Sequence, residues 1–248
     1  MASLLSRLSA SSYIAIYRRL ARHRPPRARP IRLGDGSRIL CFTCAGIGDT
    51  LTDSVVFRAL RETYPGSALA AVVHRRRRVL VEHNPFVDRI FPFHKGPFAF
   101  RRLLGELRAA GPWDAILHLR GNDPEPRCLS FSLDPDVTVS TPNMTQLSWL
   151  CGHQVVQPAW DTTHGVLQTL GLARYVGADT ALPQLVYSVT EVERAALEAK
   201  LHAWEIGPRP RLVLQIGGGR RASWRDQGGT RSRPPRPAPA RGGPGQTA

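Results

Sequence analysis

The sequence predicts an α/β fold, a parallel sheet with helices on both faces, on three observations. From residue 37 onward, short apolar runs alternate with segments of helical periodicity, the order that builds βαβ units. The runs are continuous rather than alternating, as in Ala68–His74, and strands buried on both faces read this way. A Gly-x-Gly-Asp turn joins the first strand to the first helix, at the sheet edge where open α/β folds hold ligands.

The elements follow in order. Arg38–Cys44 reads as the first strand. Thr50–Tyr64 reads as a helix with Asp49 or Thr50 as its cap and Val55, Val56, Ala59 and Leu60 on its buried side. Pro65-Gly66 ends it. Ala68–His74 is the second strand, and Arg76–His83 a short helix stopped at Asn84-Pro85. Arg89–Phe93 is a short strand. Pro97–Ala110 is a helix with Phe100, Leu103, Leu104 and Leu107 at helical spacing. Trp113–Leu119 is another strand. Residues 121–160 read as loops rich in Pro and Asp around one strand, Val137–Ser140. His164–Leu172 is a helix. Thr190–Trp204 is another, with Glu191 and Glu193 in the first turn, where the helix dipole favours acids. Arg211–Ile216 is a strand running into Gly217, Gly218 and Gly219.

Two basic ends flank this pattern. The net charge is +15, but residues 1–30 hold seven Arg and no acid, and residues 220–248 hold seven Arg and one Asp. The span 31–219 is left near neutrality at +2. A folded nucleic-acid reader carries its basic stripe on the folded surface, so no specific nucleic-acid partner is expected. Residues 3–22 form an amphipathic helix on the pattern Tyr13, Ile16, Tyr17, Leu20, with Arg18, Arg19 and Arg22 placed for anionic headgroups. The other reading is an unstructured leader. Pro25, Pro26 and Pro30 mark the linker that follows. Residues 220–248, with five Gly, five Pro and Trp224 as the one large apolar side chain, read as disordered. No run reaches the roughly 18 apolar residues of a transmembrane helix, and no signal-peptide cleavage site stands out. The expected domains are thus a leader at 1–30, a Rossmann-like domain at 31–181, the start of a second domain at 182–219, and the tail.

Cys41-x-x-Cys44 raises a redox or metal reading. Residues three apart on a strand face opposite ways, so these thiols are expected to be strand cysteines and no metal site is expected. A reducing cytoplasm is the inferred compartment.

The chemistry concentrates in Cys41-Phe-Thr-Cys-Ala-Gly46-Ile-Gly48-Asp49-Thr50. Glycines at 46 and 48 permit positive-φ geometry or close approach of a ligand, and the helix start that follows suits an anion. The third glycine of a dinucleotide fingerprint is absent, Leu51 standing in its place, and Gly-Lys-Ser/Thr is absent too. Asp49 is read either as a helix cap or as a general base. Arg75–Arg78 and Arg120, at strand ends, are candidates for phosphate or anionic lipid, or a solvated charge run. His164 reads as a helix-start or packing residue; His74 and His118 read as structural.

These segments resemble a known family. Ile39–Leu51, Arg58-Ala-Leu-Arg61, Tyr64-Pro-Gly66, Asn84–Phe93, Trp113–Leu119, His164 and Leu212–Gly217 occur in the order found in glycosyltransferase family nine, the ADP-heptose:lipopolysaccharide heptosyltransferases. The resemblance implies a GT-B architecture with an N-terminal acceptor domain and a C-terminal nucleotide-sugar domain. It implies metal-independent, inverting transfer of a sugar from an ADP-heptose-like donor to a lipopolysaccharide-core acceptor, with no cofactor. Asp49 falls on the family's general base; Gly46, Gly48, Thr50, Arg75 and Arg120 are this chain's candidate substrate-binding residues, and Gly217–Gly219 its candidate donor-binding residues. The chain is expected in the cytoplasm, peripheral on the inner membrane. After Gly219 the family pattern stops: Arg220-Arg-Ala-Ser-Trp224 lacks the basic residue before Trp and the Pro after it. The tail is read as the product of truncation or frame shift, and the chain alone is expected to be inactive. The alternative is a non-catalytic module gripping a phosphorylated glycolipid or nucleotide.

Overall fold

The computed structural model describes residues 12, 15–23, 25–26, 28–121, 123–142, 147–156 and 162–207. The expected strand at 211–216, Gly217–Gly219 and the tail lie outside them. The chain divides into two units, Met1–Leu197 and Glu198–Ala248. The first holds a six-stranded sheet made of β1 (Arg38–Thr43), β2 (Ala68–His74), β3 (Arg89–Phe93), β4 (Ala115–Arg120), β5 (Val137–Ser140) and β6 (His153–Gln154). The order is β3-β2-β1-β4-β5-β6, and every pairing is parallel. Helix α1 spans 15–23. It is followed by α2 (Ile47–Thr63), α3 (Pro97–Ala110), α4 (Pro124–Leu133), α5 (Gly165–Tyr175) and α6 (Glu191–Ala203).

Alternate residues of the central strands β1, β2 and β4 feed two cores. Ile39 and Cys41 of β1, with Leu69, Ala71 and Leu117, pack against Val55, Val56 and Leu60 of α2 and Leu170 and Ala173 of α5. Leu40, Phe42 and Cys44 turn the other way and meet Leu103 and Leu107 of α3 and Leu129 of α4. The central strands are apolar on both faces because both faces are covered.

The expected strands at 68–74, 89–93 and 137–140 and the helix at 97–110 have the expected bounds. Other elements differ. Arg75–Leu80 is a 3-10 helix, shorter than the helix expected at 76–83. Residues 121–160 contain α4, read as loop because of Pro124 and Pro126. Pro124 opens the helix behind Asp123, and a first turn tolerates proline because its N–H groups have no intrahelical partner. The two-residue strand β6 is too short to leave a periodic trace.

Among the described residues of the amphipathic stripe, helix α1 buries only Tyr17. Tyr17 meets Phe131 of α4 edge-on, with ring centroids 5.8 Å apart, and its hydroxyl lies 2.7 Å from Ser132 Oγ. Ile16 and Leu20 remain exposed, and Tyr13 lies outside the described residues. After α5 the chain runs back along α2, where Val186 N–H donates to Ser54 Oγ (2.7 Å) and Arg58 to the Leu182 carbonyl (3.0 Å). Thr190 and Glu193 close a capping box at the start of α6. In the second unit, residues 198–207 carry α6 to its end, where Glu205 takes a positive φ of 55°. Among the described residues no helix is long and apolar enough to cross a membrane.

Candidate functional site

The sheet reverses its winding between β1 and β4: the chain moves one way through β2 and β3 and the other way through β5 and β6. Helices diverge from such a point and leave a crevice at the carboxyl ends of the strands. Asp49 and Arg120 both stand at that edge.

Helix α2 begins at Ile47, three residues earlier than expected, with Gly46 as N-cap. Asp49 is therefore the third helical residue and not the cap itself. Its Oδ2 accepts a hydrogen bond from the Gly46 N–H at 3.1 Å, which is half of a capping box, glycine having no side chain to return the bond. Neither glycine needs positive φ: Gly46 sits at −67° and Gly48 lies within the helix. At Gly46 an added Cβ would come 3.0 Å from Asp49 Oδ2, so a side chain there would displace the carboxylate by a few tenths of an ångström. A Cβ on Gly48 would meet nothing within 4 Å, so the first turn is open above it. Thr50 is buried, and its hydroxyl donates to the Gly46 carbonyl at 2.8 Å, locking the turn.

Arg120 ends β4 and is nearly buried, its side chain 9% exposed. Its guanidinium donates to Thr169 Oγ1 (2.6 Å from Nη2, 3.0 Å from Nε) and to the Gly165 carbonyl (2.8 Å) on α5. Toward α2 it donates to Asp49 Oδ1 at 3.3 Å and lies 3.4 Å from Asp53 Oδ1. The planar fork lets one residue tie two helices to the end of a strand. The next residue, Gly121, has φ +123° and approaches Cys44 so closely that a Cβ would meet its carbonyl at 3.3 Å. The positive-φ glycine of this site is here, not in the Gly-x-Gly turn.

Asp53 was not singled out from the sequence. It is fully buried one turn below Asp49, and Thr43 Oγ1 donates to its Oδ2 at 2.6 Å. Burial pushes its carboxyl up to about 8 against the pull of the Thr43 hydrogen bond and the Arg120 charge, with Asp49 adding to the rise. The available signal was the spacing: positions 49 and 53 are i and i+4, one face of one helix. Asp49 itself is 45% exposed at its side chain.

The structure thus brings Gly46, Gly48, Asp49, Thr50 and Arg120 together. Arg75 stands apart, in the exposed 3-10 turn after β2, lining a cleft of about 450 Å³ with Arg78, His94 and Arg102. Among the described residues no hydrogen bond or ion pair links it to Asp49. Gly217, Gly218 and Gly219 lie outside the described residues.

His164 is the N-cap of α5, its Nδ1 accepting from Val166 N–H at 3.3 Å. His74 caps the 3-10 turn in the same way through Arg76 N–H, and burial, then the Arg77 charge, lowers its pKa. His118 is buried, stacked on Phe42 at 4.9 Å and 2.9 Å from Ser130 Oγ; burial, then Arg127, holds it well below the ordinary imidazole range. All four cysteines are free and buried. Cys41 and Cys44 face opposite cores, and burial pushes both thiols upward. Among the described residues no group of three or more His, Cys, Asp or Glu is placed to hold a metal ion.

This is a doubly wound, Rossmann-like α/β domain with a half-exposed carboxylate at its switch point. The same fold occurs in solved glycosyltransferases. The family 9 glycosyl transferase from Veillonella parvula DSM 2008 aligns with TM-score 0.63 and 17% identity over 71% of this chain and 52% of its own. The E. coli ADP-heptose lps heptosyltransferase II aligns with TM-score 0.53 and 16% identity, covering 69% and 51%. E. coli heptosyltransferase WaaC with ADP-2-deoxy-2-fluoro heptose aligns with TM-score 0.51 and 17% identity, covering 61% and 52%. The chain spans about half the length of each. No protein-family model matches the sequence, and no curated protein does.

Proposed function

We propose that residues 31–181 are the acceptor-binding half of a GT-B glycosyltransferase that moves a sugar from an ADP-heptose-like nucleotide-sugar to a lipopolysaccharide-core acceptor, with inversion and with Asp49 as general base. The observation that carries this reading is the Asp49 carboxylate. It is half-exposed at the switch-point edge and held at one oxygen by Gly46 N–H and at the other by Arg120. A carboxylate that only served the fold could lie buried like Asp53; this one stays open to a ligand.

In the proposed reaction the acceptor hydroxyl attacks the anomeric carbon as the nucleoside diphosphate leaves from the opposite face. Asp49 takes the hydroxyl proton, and no covalent sugar–enzyme bond forms. General-base assistance of this kind contributes typically 10²–10⁴-fold. Arg120 acts as a positioning residue. Gly217–Gly219 belong to the donor side of the proposal, and the transfer is proposed to need no metal. The cytoplasmic face of the inner membrane is the proposed location, where a lipid-borne acceptor meets a nucleotide-sugar.

The second reading is a non-catalytic module that grips a phosphorylated glycolipid or nucleotide. One experiment separates the two. The chain is titrated with a lipopolysaccharide-core acceptor, then given ADP-heptose with and without EDTA, and product is read by mass spectrometry. Transfer that survives EDTA and falls by about 10²-fold or more in Asp49→Asn, with acceptor affinity unchanged, supports the first reading. Acceptor binding without transfer supports the second once addition of a separate nucleotide-sugar-binding half has failed to restore transfer. No acceptor binding sinks both.

A further inference from the structure

The carboxyl edge of the sheet carries a surface that the proposed chemistry does not use. β2 ends into the 3-10 turn Arg75–Leu80, and β3 ends into His94, Lys95 and the start of α3. The cleft shared by Arg75, Arg78, His94, Ala99 and Arg102 shows that these two strand ends form one continuous face. Phe98, in the first turn of α3, is 89% exposed, the most exposed large apolar side chain among those described. Val79 is exposed on the 3-10 turn after β2.

Around this cleft, which Glu106 also lines, cations outnumber acids. Arg78 pairs with Glu82 (3.3 Å), Arg102 with Glu106 (2.8 Å) and Lys95 with Asp123 (2.5 Å). Arg75, Arg76, Arg77 and Arg101 make no ion pair among the described residues. An exposed aromatic ring and guanidinium groups without ion-pair partners share this edge of the sheet, where exposed aromatic surface costs free energy and like charges repel. That combination matches the boundary of an anionic bilayer. There an amphipathic element buries its apolar groups about 5–10 Å deep while its cations meet headgroups.

We propose that the Arg75–Val79 turn and the first turn of α3 are a docking surface for an anionic lipid bilayer, with Phe98 entering the headgroup–acyl boundary and Arg75, Arg76, Arg77 and Arg101 meeting the headgroups. This rests on the reading of the acceptor as lipid-borne, and it adds a geometric consequence. All strands are parallel, so this face and Asp49 lie on the same sheet edge, with β2 directly beside β1 and neighbouring strands about 5 Å apart. Docking there sets the mouth of the β1/β4 crevice next to the lipid surface. The surface is also distinct from α1, whose exposed Ile16 and Leu20 offer a competing contact.

The test uses the full chain. Because all four native cysteines are buried, a cysteine at an exposed position takes a polarity-sensitive fluorophore selectively. Phe98→Cys reports from the proposed surface; Ala109→Cys reports from the exposed far end of the same helix. Vesicles of phosphatidylglycerol and phosphatidylcholine are compared with phosphatidylcholine alone. The expected result is a blue shift and quenching by bilayer-borne quencher at position 98 only, with anionic vesicles only. In the unlabelled chain, Arg75→Glu with Arg101→Glu lowers vesicle partitioning by roughly tenfold or more. A chain that co-sediments with anionic vesicles while the label at 98 stays in water overturns the proposal, since other cationic segments then carry the binding. Equal responses at 98 and 109 overturn it, as does a label that answers to a lipid-free phosphorylated acceptor but not to vesicles, and so does absence of vesicle binding. None of these outcomes depends on sugar transfer, so the docking surface and the enzymatic reading stand or fall separately.

Discussion

Replacing Asp53 by Asn should change stability by an amount that depends on pH. Asp53 is fully buried, with its Oδ2 bonded to Thr43 and its Oδ1 accepting no hydrogen bond, 3.4 Å from Arg120 Nε. The other titratable groups near it are Asp49, one turn above, the thiol of Cys41 on β1 and, on the other face of the sheet, the thiol of Cys44, both thiols raised by burial and so neutral at ordinary pH. Unfolded, the carboxyl ionises near 3.8; folded, burial moves it to about 8. Between those values the folded state holds a proton that the unfolded state has lost. Stability must therefore fall as pH rises, by about 1.4 kcal/mol per pH unit. Below the lower value both states are protonated and the effect vanishes; above the upper value both are ionised and the loss is complete.

The Asn variant has no such proton. Between pH 5 and pH 7 the parent should lose about 3 kcal/mol relative to Asp53→Asn. Urea unfolding followed by circular dichroism at pH 5, 6 and 7 measures this directly. Parallel stability curves for the two proteins would refute the reasoning, because they would mean that Arg120 keeps Asp53 ionised throughout. The outcome bears on the site: a neutral Asp53 leaves the guanidinium charge to Asp49, whereas an ionised one divides it between two carboxylates.

Three further substitutions probe the same framework. Gly121→Ala forces a Cβ onto a φ of +123° and to within 3.3 Å of the Cys44 carbonyl; a loss of about 1–3 kcal/mol is expected, read as a lowered urea midpoint. Arg120→Lys keeps the charge but lacks the fork that reaches Thr169, Gly165 and Asp49 together. It should cost about 2 kcal/mol, and a variant as stable as the parent would show that those bonds do not hold α5 to α2. Trp113→Phe leaves the buried Leu107 carbonyl without its 3.0 Å donor, for an expected cost of about 1–3 kcal/mol in the same assay.

How much of this was legible in the sequence follows from which forces act locally. A continuous apolar run bounded by Gly66 and the arginines from Arg75 exposed β2, because burial on both faces leaves no other pattern. Helix α4 escaped because its prolines occupy the first turn, where proline is harmless, while the same residues elsewhere mean loop. The start of α2 was misplaced because a glycine N-cap gives no side-chain signal, and the capping bond comes backward from Asp49. The site divides along the same line. Asp49 was readable because glycine, carboxylate and helix start are neighbours in the chain. Asp53 and Thr169 were not, because what makes them matter is a guanidinium 67 residues after one and 49 before the other. Sequence spacing places 49 and 53 on one face of a helix, but only the β1–β4 pairing, Thr43 opposite Arg120, turns that face toward a buried cation. The base candidate is thus a local feature. Its orientation depends on the packing of β4 and α5, so substitutions in those distant segments should disturb it as surely as changes in the glycine turn.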